Sequence, residues 1–393
     1  MAIAAFAFCA LLLVALTLPG TVALLVLTAG GVLPARRPGA PRCAPRRIAV
    51  IVPAHDEAAG IGRCVASLRA AAAPLDGAEV VVVADNCTDD TAARAAAAGA
   101  RVLERVDPVR RGKGFALAFA FERLLAEGAE ALIVVDADSL VSPDTLVELV
   151  AWLAGGADAV QARYGVANPA DGLRPRLMGV AMMAFNVLRP RGRSRWGLSA
   201  GILGNGFALS AATARAVPYD AHSVVEDLEY HLRLVRSGRR VEFADRATVL
   251  AAMPTGGRGV RTQRARWEGG RLRMLREAGA GLLADLGRGR WRAAEPLADL
   301  LLLPLAFHVA LLVLALAIPW TPLRLYGAAG LAVVAAHVAA ALAVGGGSWR
   351  DLAALAAAPL YIAWKLALAP AIARASRRDT AWVRTERPAG GAR

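Results

Sequence analysis

The chain has 393 residues, 56% of them hydrophobic and only 20% charged, against about 25% charged in an average soluble domain. That balance excludes a disordered or collagen-like protein and argues against an entirely soluble one, while the length allows one large domain or two ordinary ones. Net charge is +14, yet Lys113 and Lys365 are the only lysines, so arginine supplies 44 of the 46 basic side chains. The arginines cluster beside apolar segments, where anionic lipid headgroups are a simpler partner than nucleic acid, and nucleic acid is not an expected partner. Cys9, Cys43, Cys64 and Cys87 show no CxxC or metal-type spacing, which predicts neither a disulfide framework nor a zinc site.

Residues 2–35 carry no charged side chain, and the run from Ala2 to Leu27 is long enough to cross about 30 Å of hydrocarbon. A secretory signal would start basic and have a shorter apolar region. Here Arg36, Arg37, Arg42, Arg46 and Arg47 follow the run. Residues 1–35 therefore read as a retained transmembrane anchor whose carboxyl flank is cytoplasmic, with a cleaved signal as the alternative.

Residues 46–290 have the pattern of a globular domain. Strands are predicted at Arg47–Pro53, Glu79–Ala84, Arg101–Val106 and Ala131–Val135, alternating with helices at Ala58–Ala73, Thr88–Ala98 and Gly114–Glu127. Unbroken apolar strands between helices predict an α/β fold, with a mostly parallel sheet covered on both faces. Ligands on such sheets bind beyond the carboxyl ends of the strands. Further on, Pro296–Pro319 and Leu325–Val344 read as two membrane spans. Leu352–Ala373 reads either as a third span or as an interfacial helix with Trp364 and Lys365 at the headgroups. Together 296–373 form the expected membrane region, followed by a basic tail, 374–393, with Arg374, Arg377, Arg378, Arg384 and Arg387.

Acidic groups fall where the strand-end rule points. The first strand runs into Pro53-Ala54-His55-Asp56-Glu57, the second into Asp85-Asn86-Cys87-Thr88-Asp89-Asp90, and the fourth into Asp136-Ala137-Asp138. There is no GxGxxG after the first strand and no GxxxxGK[ST], which disfavours a dehydrogenase or a P-loop NTPase. Asp136 and Asp138 on one turn can face a hard cation that also takes substrate phosphates, although Asp138 also suits a plain turn cap. Asp85 suits a base or ribose edge, and Thr88 with Asp89 suits a helix N-cap equally well. Lys113 lies between Gly112 and Gly114, which permit close backbone approach to a phosphate or an acceptor.

Glu226-Asp227 opens a predicted helix. Alone, the pair reads as acidic residues favouring a helix dipole; beside an acceptor hydroxyl, Asp227 would be a base that Glu226 holds or shifts. In Gln263-Arg264-Ala265-Arg266-Trp267, Gln263 and Arg266 share a helical face and Trp267 adds a stacking surface. The surrounding Arg261, Arg264, Arg271, Arg273 and Arg276 equally describe a basic interfacial helix over about 261–280. Leu177–Leu188, followed by Arg189-Pro190-Arg191-Gly192-Arg193, suits either a bilayer-resting segment or a core helix with a basic loop.

Taken in order, Asp85, Asp136-Ala137-Asp138, Glu226-Asp227 and Gln263-x-x-Arg266-Trp267 resemble the membrane-integral family 2 glycosyltransferases, which include chitin, hyaluronan and cellulose synthases. The resemblance covers about residues 47–270 and implies a GT-A fold acting on a nucleotide-diphosphate sugar with inversion at the anomeric carbon. By that resemblance Pro53, Glu57, Asp85, Lys113 and Asp136 bind the donor nucleotide, and Asp138 with Asp136 binds Mg²⁺ or Mn²⁺. Asp227 is the general base, with Glu226 beside it. Gln263, Arg264, Arg266 and Trp267 bind the diphosphate and acceptor sugar, with Gly204-Asn205-Gly206 at an acceptor loop that also reads as a strand-to-helix turn.

Three or four membrane segments are few for a polymer channel within one protomer. The expected functions are therefore a polysaccharide-building transferase, acting on a growing glycan as a homo-oligomer or with an export partner, and a transferase adding a single sugar to a membrane lipid. A catalytically silent membrane scaffold is the reading from another class. The expected place is the cell (inner) membrane, with the catalytic region in the cytoplasm, where nucleotide sugars are made.

Overall fold

The computed structural model of the chain describes residues 2–221, 223, 225–255 and 258–376, with the side chains of all of these except 2–6, 258–260, 262–264 and 266. Eight strands form one sheet: β1 (Ile48–Ala54), β2 (Ala78–Asp85), β3 (Arg101–Arg105), β4 (Ala131–Val134), β5 (Ser139–Val141), β6 (Ala159–Val166), β7 (Phe207–Ser210) and β8 (Val241–Ala251). Their spatial order is β3-β2-β1-β4-β7-β6-β8-β5. The first four strands are parallel, in registers such as Val50↔Val80 and Val50↔Ile133. Their predicted limits hold to within a residue or so.

The expected parallel character is complete only in that half. β7 runs antiparallel to both β4 and β6, and β5 antiparallel to β8, so the whole sheet is mixed. A short strand of four residues, wedged between partners distant in sequence, has no local pattern that reveals its direction. Gly204-Asn205-Gly206 is not a strand-to-helix turn; it leads into β7.

β1 shows why both sheet faces are buried. Val50, Val52 and Ala54 pack with Ile61, Val65 and Leu68 of helix Ile61–Ala72 and with Leu146 and Leu149 of helix Thr145–Ala154. The alternate residues Ala49 and Ile51 pack with Leu117, Phe121 and Leu124 of helix Lys113–Ala126, in a core that includes Tyr219, Tyr230 and Leu234. Period-two alternation thus feeds two cores from one strand, each fully buried aliphatic side chain contributing about 1.5–3 kcal/mol.

Among the described residues, two helices are long and apolar enough to cross a membrane, Ala7–Gly31 and Thr321–Gly345, and two bent helix pairs pass the same test when each is taken together. The expected span Pro296–Pro319 is not one rod. Helices Trp291–Leu301 and Leu305–Ala317 meet at 69°, because Pro304 lacks an amide hydrogen and restrains the residue before it. The last segment is likewise bent by 47° between Trp349–Ala367 and Ala369–Ala375. Lys365 within it pairs with Glu268 of the long helix Arg258–Gly287 at 2.5 Å. The basic tail beyond Ser376 lies outside the described residues.

The amino-terminal helix is tied to the carboxyl-terminal ones by polar contacts at Thr17, Thr21 and Thr28, which share one face. Thr17 Oγ1 lies 2.7 Å from Tyr326 Oη, Thr21 Oγ1 3.3 Å from His308 Nε2, and Thr28 Oγ1 2.7 Å from His337 Nδ1. Gly20 makes room for the His308 ring, which would stand 2.9 Å from a Cβ there. A side-chain hydrogen bond between helices in lipid contributes on average about 0.6 kcal/mol, up to about 1.7. Thr28→Val is expected to destabilise the detergent-purified full chain by that order, read as a lower melting temperature. An unchanged melting curve would mean that the Thr28–His337 contact adds nothing to the union of these helices.

Candidate active site

The cleft lies at the carboxyl ends of β1, β2 and β4. Two backbone turns mark it: Asp56 after β1 and Asn86 after β2 are the non-glycine residues with positive φ among the described residues, at 51° and 52°. Asp and Asn tolerate this region because their short polar side chains bond locally. Asp56 Oδ1 accepts from the Thr88 amide at 2.6 Å, and Asn86 Oδ1 accepts from the Asp107 amide at 2.8 Å. Asp89 accepts from the amides of Ala58 and Thr91, and the Glu57 amide donates to Thr91 Oγ1 at 2.8 Å. Asp56, Cys87 and Asp89 bring ligand-type atoms within 4.8 Å of one another, but these backbone amides already take up the two carboxylates. They hold the first two strand ends together.

Asp85 is buried at the end of β2. Its Oδ1 accepts from Arg105 Nη1 at 2.6 Å and from Asn86 Nδ2 at 3.0 Å, while its carbonyl meets His55 Nδ1 at 2.8 Å. Arg105 is a partner that sequence reading missed. It also donates to Asp107 and to the Arg110 carbonyl, so the segment leading to Lys113 is strung from Asp85. Pro53 is the penultimate residue of β1, opposite Val83 of β2.

Lys113 begins helix Lys113–Ala126, and its ammonium is held between Asp136 Oδ1 and the carbonyl of Gly204. Burial opposes the charge, but Asp136, Glu226 and Asp227 outweigh it and hold the Lys113 pKa above the usual value. The Asp136 amide donates to Asn205 Oδ1 at 3.0 Å, and Asn205 Nδ2 donates to Ser139 Oγ at 2.8 Å. Asp138 Oδ1 accepts from Ser139 Oγ at 3.2 Å. One loop asparagine therefore braces the turn that carries both aspartates.

Gly204 has φ +78° and would place a Cβ 3.2 Å from Asp227 Oδ2; Gly206 has φ +70° and would place one 2.6 Å from Val249. Glycine here meets both the backbone requirement and the close approach of the Asp227 carboxylate. The loop is also held from below by Gln161, wholly buried on β6. Its Nε2 donates to the carbonyls of Asn205 and Gly206 at 2.7 and 3.2 Å, and its Oε1 accepts from the Leu203 amide at 2.9 Å. Gln161 was not singled out from sequence; a glutamine within the apolar run Ala159–Ala162 was the available signal.

Glu226 and Asp227 open helix Glu226–Arg236, and Asp227 Oδ1 accepts from the Leu228 amide at 2.8 Å. Burial, then the Asp227 charge, pushes the Glu226 carboxyl up to about 7; burial likewise raises Asp227, against the pull of the Leu228 amide and Lys113. The two titrate as a pair. The segment 263–267 lies within helix Arg258–Gly287, with Trp267 half-buried. The side chains of Gln263, Arg264 and Arg266 lie outside the described residues. Val225, just before Glu226, would contact a Cβ on Gly270 of that helix at 2.3 Å, so the two helices meet where the acidic pair begins. Asp136, Gly204, Asn205, Glu226 and Asp227 thus converge on Lys113, while Asp85 and Glu57 belong to the neighbouring strand-end network.

A carboxyl whose pKa is higher folded than unfolded binds more protons when folded. Its native state therefore loses stability as pH rises from the unfolded value, about 4.3 for Glu, through the folded one. Glu226→Gln is expected to stabilise the fold above pH 7 by about 1–2 kcal/mol, read as a higher melting temperature, with the gain fading below about pH 4. A gain independent of pH, or a loss at pH 8, would show that the Glu226 charge is not strained in the cleft.

The model of the family described as Glycosyltransferase like family 2 matches residues 45–270. The chain is 25% identical over 233 residues to the probable glycosyltransferase YdaM of Bacillus subtilis, covering 57% of this chain and 55% of that protein. It is 28% identical over 263 residues to the beta-monoglucosyldiacylglycerol synthase of Synechocystis, covering 64% and 51%. It is 40% identical over 118 residues to the glucosyl-3-phosphoglycerate synthase of Mycolicibacterium paratuberculosis, covering 28% and 33%. The chain thus spans about half the length, or less, of these curated relatives. Among solved structures, the mannosyltransferase PcManGT from Pyrobaculum calidifontis, in complex with GDP-Man and Mn²⁺, superposes with a TM-score of 0.53 at 20% identity. The superposition covers 86% of this chain and 97% of that one. With a mixed α/β sheet of GT-A type and a match that takes in every strand and the whole acidic cleft, the chain belongs to the glycosyltransferase-like family 2.

Proposed function

We propose that the chain is a membrane-integral, inverting glycosyltransferase. It moves a sugar from a nucleotide-diphosphate donor, UDP by family resemblance, to a membrane-associated acceptor in cell-envelope or exopolysaccharide synthesis. The observation that carries this reading is the convergence of Lys113, Asp136, Gly204 and the Glu226-Asp227 pair on one cleft at the strand ends. In this reading Asp85 and Glu57 face the nucleotide and Lys113 the donor phosphates. By the family resemblance, Gln263, Arg266 and Trp267 bind the diphosphate and acceptor sugar.

The donor set suits a hard divalent cation. Asp136 and Asp138 offer two carboxylates on one braced turn, and Asp136 already holds a cationic group, the Lys113 ammonium. Mg²⁺ or Mn²⁺ held there would neutralise charge on the donor diphosphate. Asp227 takes the proton from the acceptor hydroxyl as the new sugar bond forms and the bond to the departing diphosphate breaks, and burial keeps its pKa raised toward that of a base. A single displacement inverts the anomeric centre and needs no covalent nucleophile.

A second reading, single-sugar transfer to a membrane lipid, is favoured by the position of the segment 177–188. Helix Leu173–Met182 continues as a π-helical turn, Met183–Leu188, whose Ala184 and Leu188 pack with Ala341 of the apolar helix Thr321–Gly345. A lipid acceptor would have its headgroup beside that junction.

Membranes carrying the wild type or Asp227→Asn, given labelled UDP-sugars with Mg²⁺ or Mn²⁺, test both readings. Asp227→Asn is expected to lower transfer by about 10²–10⁴-fold while donor binding is kept. Wild-type activity should rise with pH through about 7, as the Glu226-Asp227 pair loses its proton. Label in the organic extract marks a lipid acceptor, and label in a large product marks a polymer. Normal turnover by Asp227→Asn would sink the assignment.

A further inference from the structure

Where the helix Arg189–Arg195, the long helix Arg258–Gly287 and the broken pair at Leu301–Leu305 come together, the largely buried cations among the described side chains outnumber their counterions. Arg193 Nη2 donates to Asp299 Oδ1 at 2.5 Å, with its Nε 3.8 Å from Glu295 Oε1. Arg271 Nη2 donates to the carbonyl of Leu302, which the break in the helix has freed, at 3.0 Å. Lys365 is matched by Glu268. Arg189 has no carboxylate or carbonyl partner among the described residues; its guanidinium lies 4.9 Å from the centroid of the Phe185 ring. The Nε atoms of both Arg189 and Arg271 are buried without a hydrogen-bond partner. Arg189, Arg193 and Arg271 all lie within electrostatic reach of Asp299, which Arg193 already holds, and Arg189 is also within reach of Glu268, which Lys365 holds. Among the described side chains, four cations therefore face three carboxylates, Glu268, Glu295 and Asp299.

A buried charge without a partner is costly, and an orphaned guanidinium donor points to an absent acceptor. The surroundings identify its chemistry. Leu188, immediately before Arg189, packs with Ala341 of the apolar helix Thr321–Gly345. Phe185 beside it and Leu301 at the helix break are apolar side chains exposed by 42% and 59%. An anion arriving from an apolar rim at the end of membrane helices is a lipid headgroup, and the guanidinium fork matches phosphate oxygens. We propose that Arg189 and Arg271 form a binding site for the phosphate of an anionic membrane lipid, open toward the bilayer between Phe185 and the helix break at Leu302. This site is separate from the cleft carboxylates. It lies on the same helix as Trp267, with Arg271 one turn further on, so a lipid held here stands next to the acceptor side of the cleft.

The inference is read without a sugar donor, so its failure and that of the transferase assignment are distinguishable. The full chain in neutral detergent is titrated with fluorescent phosphatidylglycerol, with a fluorescent polyprenyl phosphate and with fluorescent phosphatidylcholine. Saturable binding of either anionic lipid, weakened about tenfold by Arg189→Gln and largely retained by Arg189→Lys, is the expected result. Preference for the phosphomonoester identifies an acceptor-type ligand, and equal binding identifies a bilayer phospholipid; either supports the site. The melting temperature of Arg189→Gln without lipid should equal or exceed that of the wild type, since the unpaired charge is gone, while anionic lipid should stabilise only the wild type. Equal binding of phosphatidylcholine, unchanged binding by Arg189→Gln, or displacement of the lipid by UDP would overturn the proposal.

Discussion

The Lys113 ammonium is the interaction on which the cleft depends. Asp136, Glu226 and Asp227 approach one another at the end of a parallel half-sheet, and like charges in so confined a place repel strongly. One lysine, held by Asp136 and the Gly204 carbonyl, offsets enough of that repulsion for the carboxylates to coexist. It also joins three chain segments that are far apart in sequence. The remaining imbalance appears in the raised pKa of the acidic pair, a form of strain commonly found where a protein does chemistry.

Around this centre the support is built largely from uncharged groups. Asn205 braces the Asp136 turn, Gln161 braces the loop of Asn205, and Gly204 lets the Asp227 carboxylate come close. Asp56 and Asn86 accept an uncommon backbone conformation to tie β1 to β2 at their ligand-facing ends. Each device satisfies a backbone polar group while keeping the acidic side chains oriented, so removal of an amide here acts on geometry as well as on stability.

The apolar helices are continuous with this machinery. The helix that starts with Glu226-Asp227 meets the long helix carrying Trp267, and that helix is held by Lys365 of the last apolar segment and by the carbonyl freed at the Leu302 break. The amino-terminal apolar helix is stitched to the others by threonine and histidine contacts. Movements of the apolar helices would therefore be felt at the acidic pair through packed helices and one buried ion pair.

Local chemistry made much of this protein legible in its sequence. Apolar runs of strand length, separated by alanine-rich helices, announced the parallel half-sheet. The strand-end rule then singled out Asp85, Asp136, Asp138 and the glycine-flanked Lys113. Those features depend on neighbours within a few residues. The antiparallel insertion of β7, the pairing of Asp85 with Arg105, the bracing by Gln161 and the 69° break before Pro304 were decided by tertiary structure. Each joins segments with no periodic relation, or turns on how a helix packs once its ladder is interrupted. The sequence by itself determined which carboxylates lie at strand ends. Only the folded chain decided that Asp136 and the Glu226-Asp227 pair share one lysine, because a Coulomb interaction depends on distance in space and carries no signature in residue order.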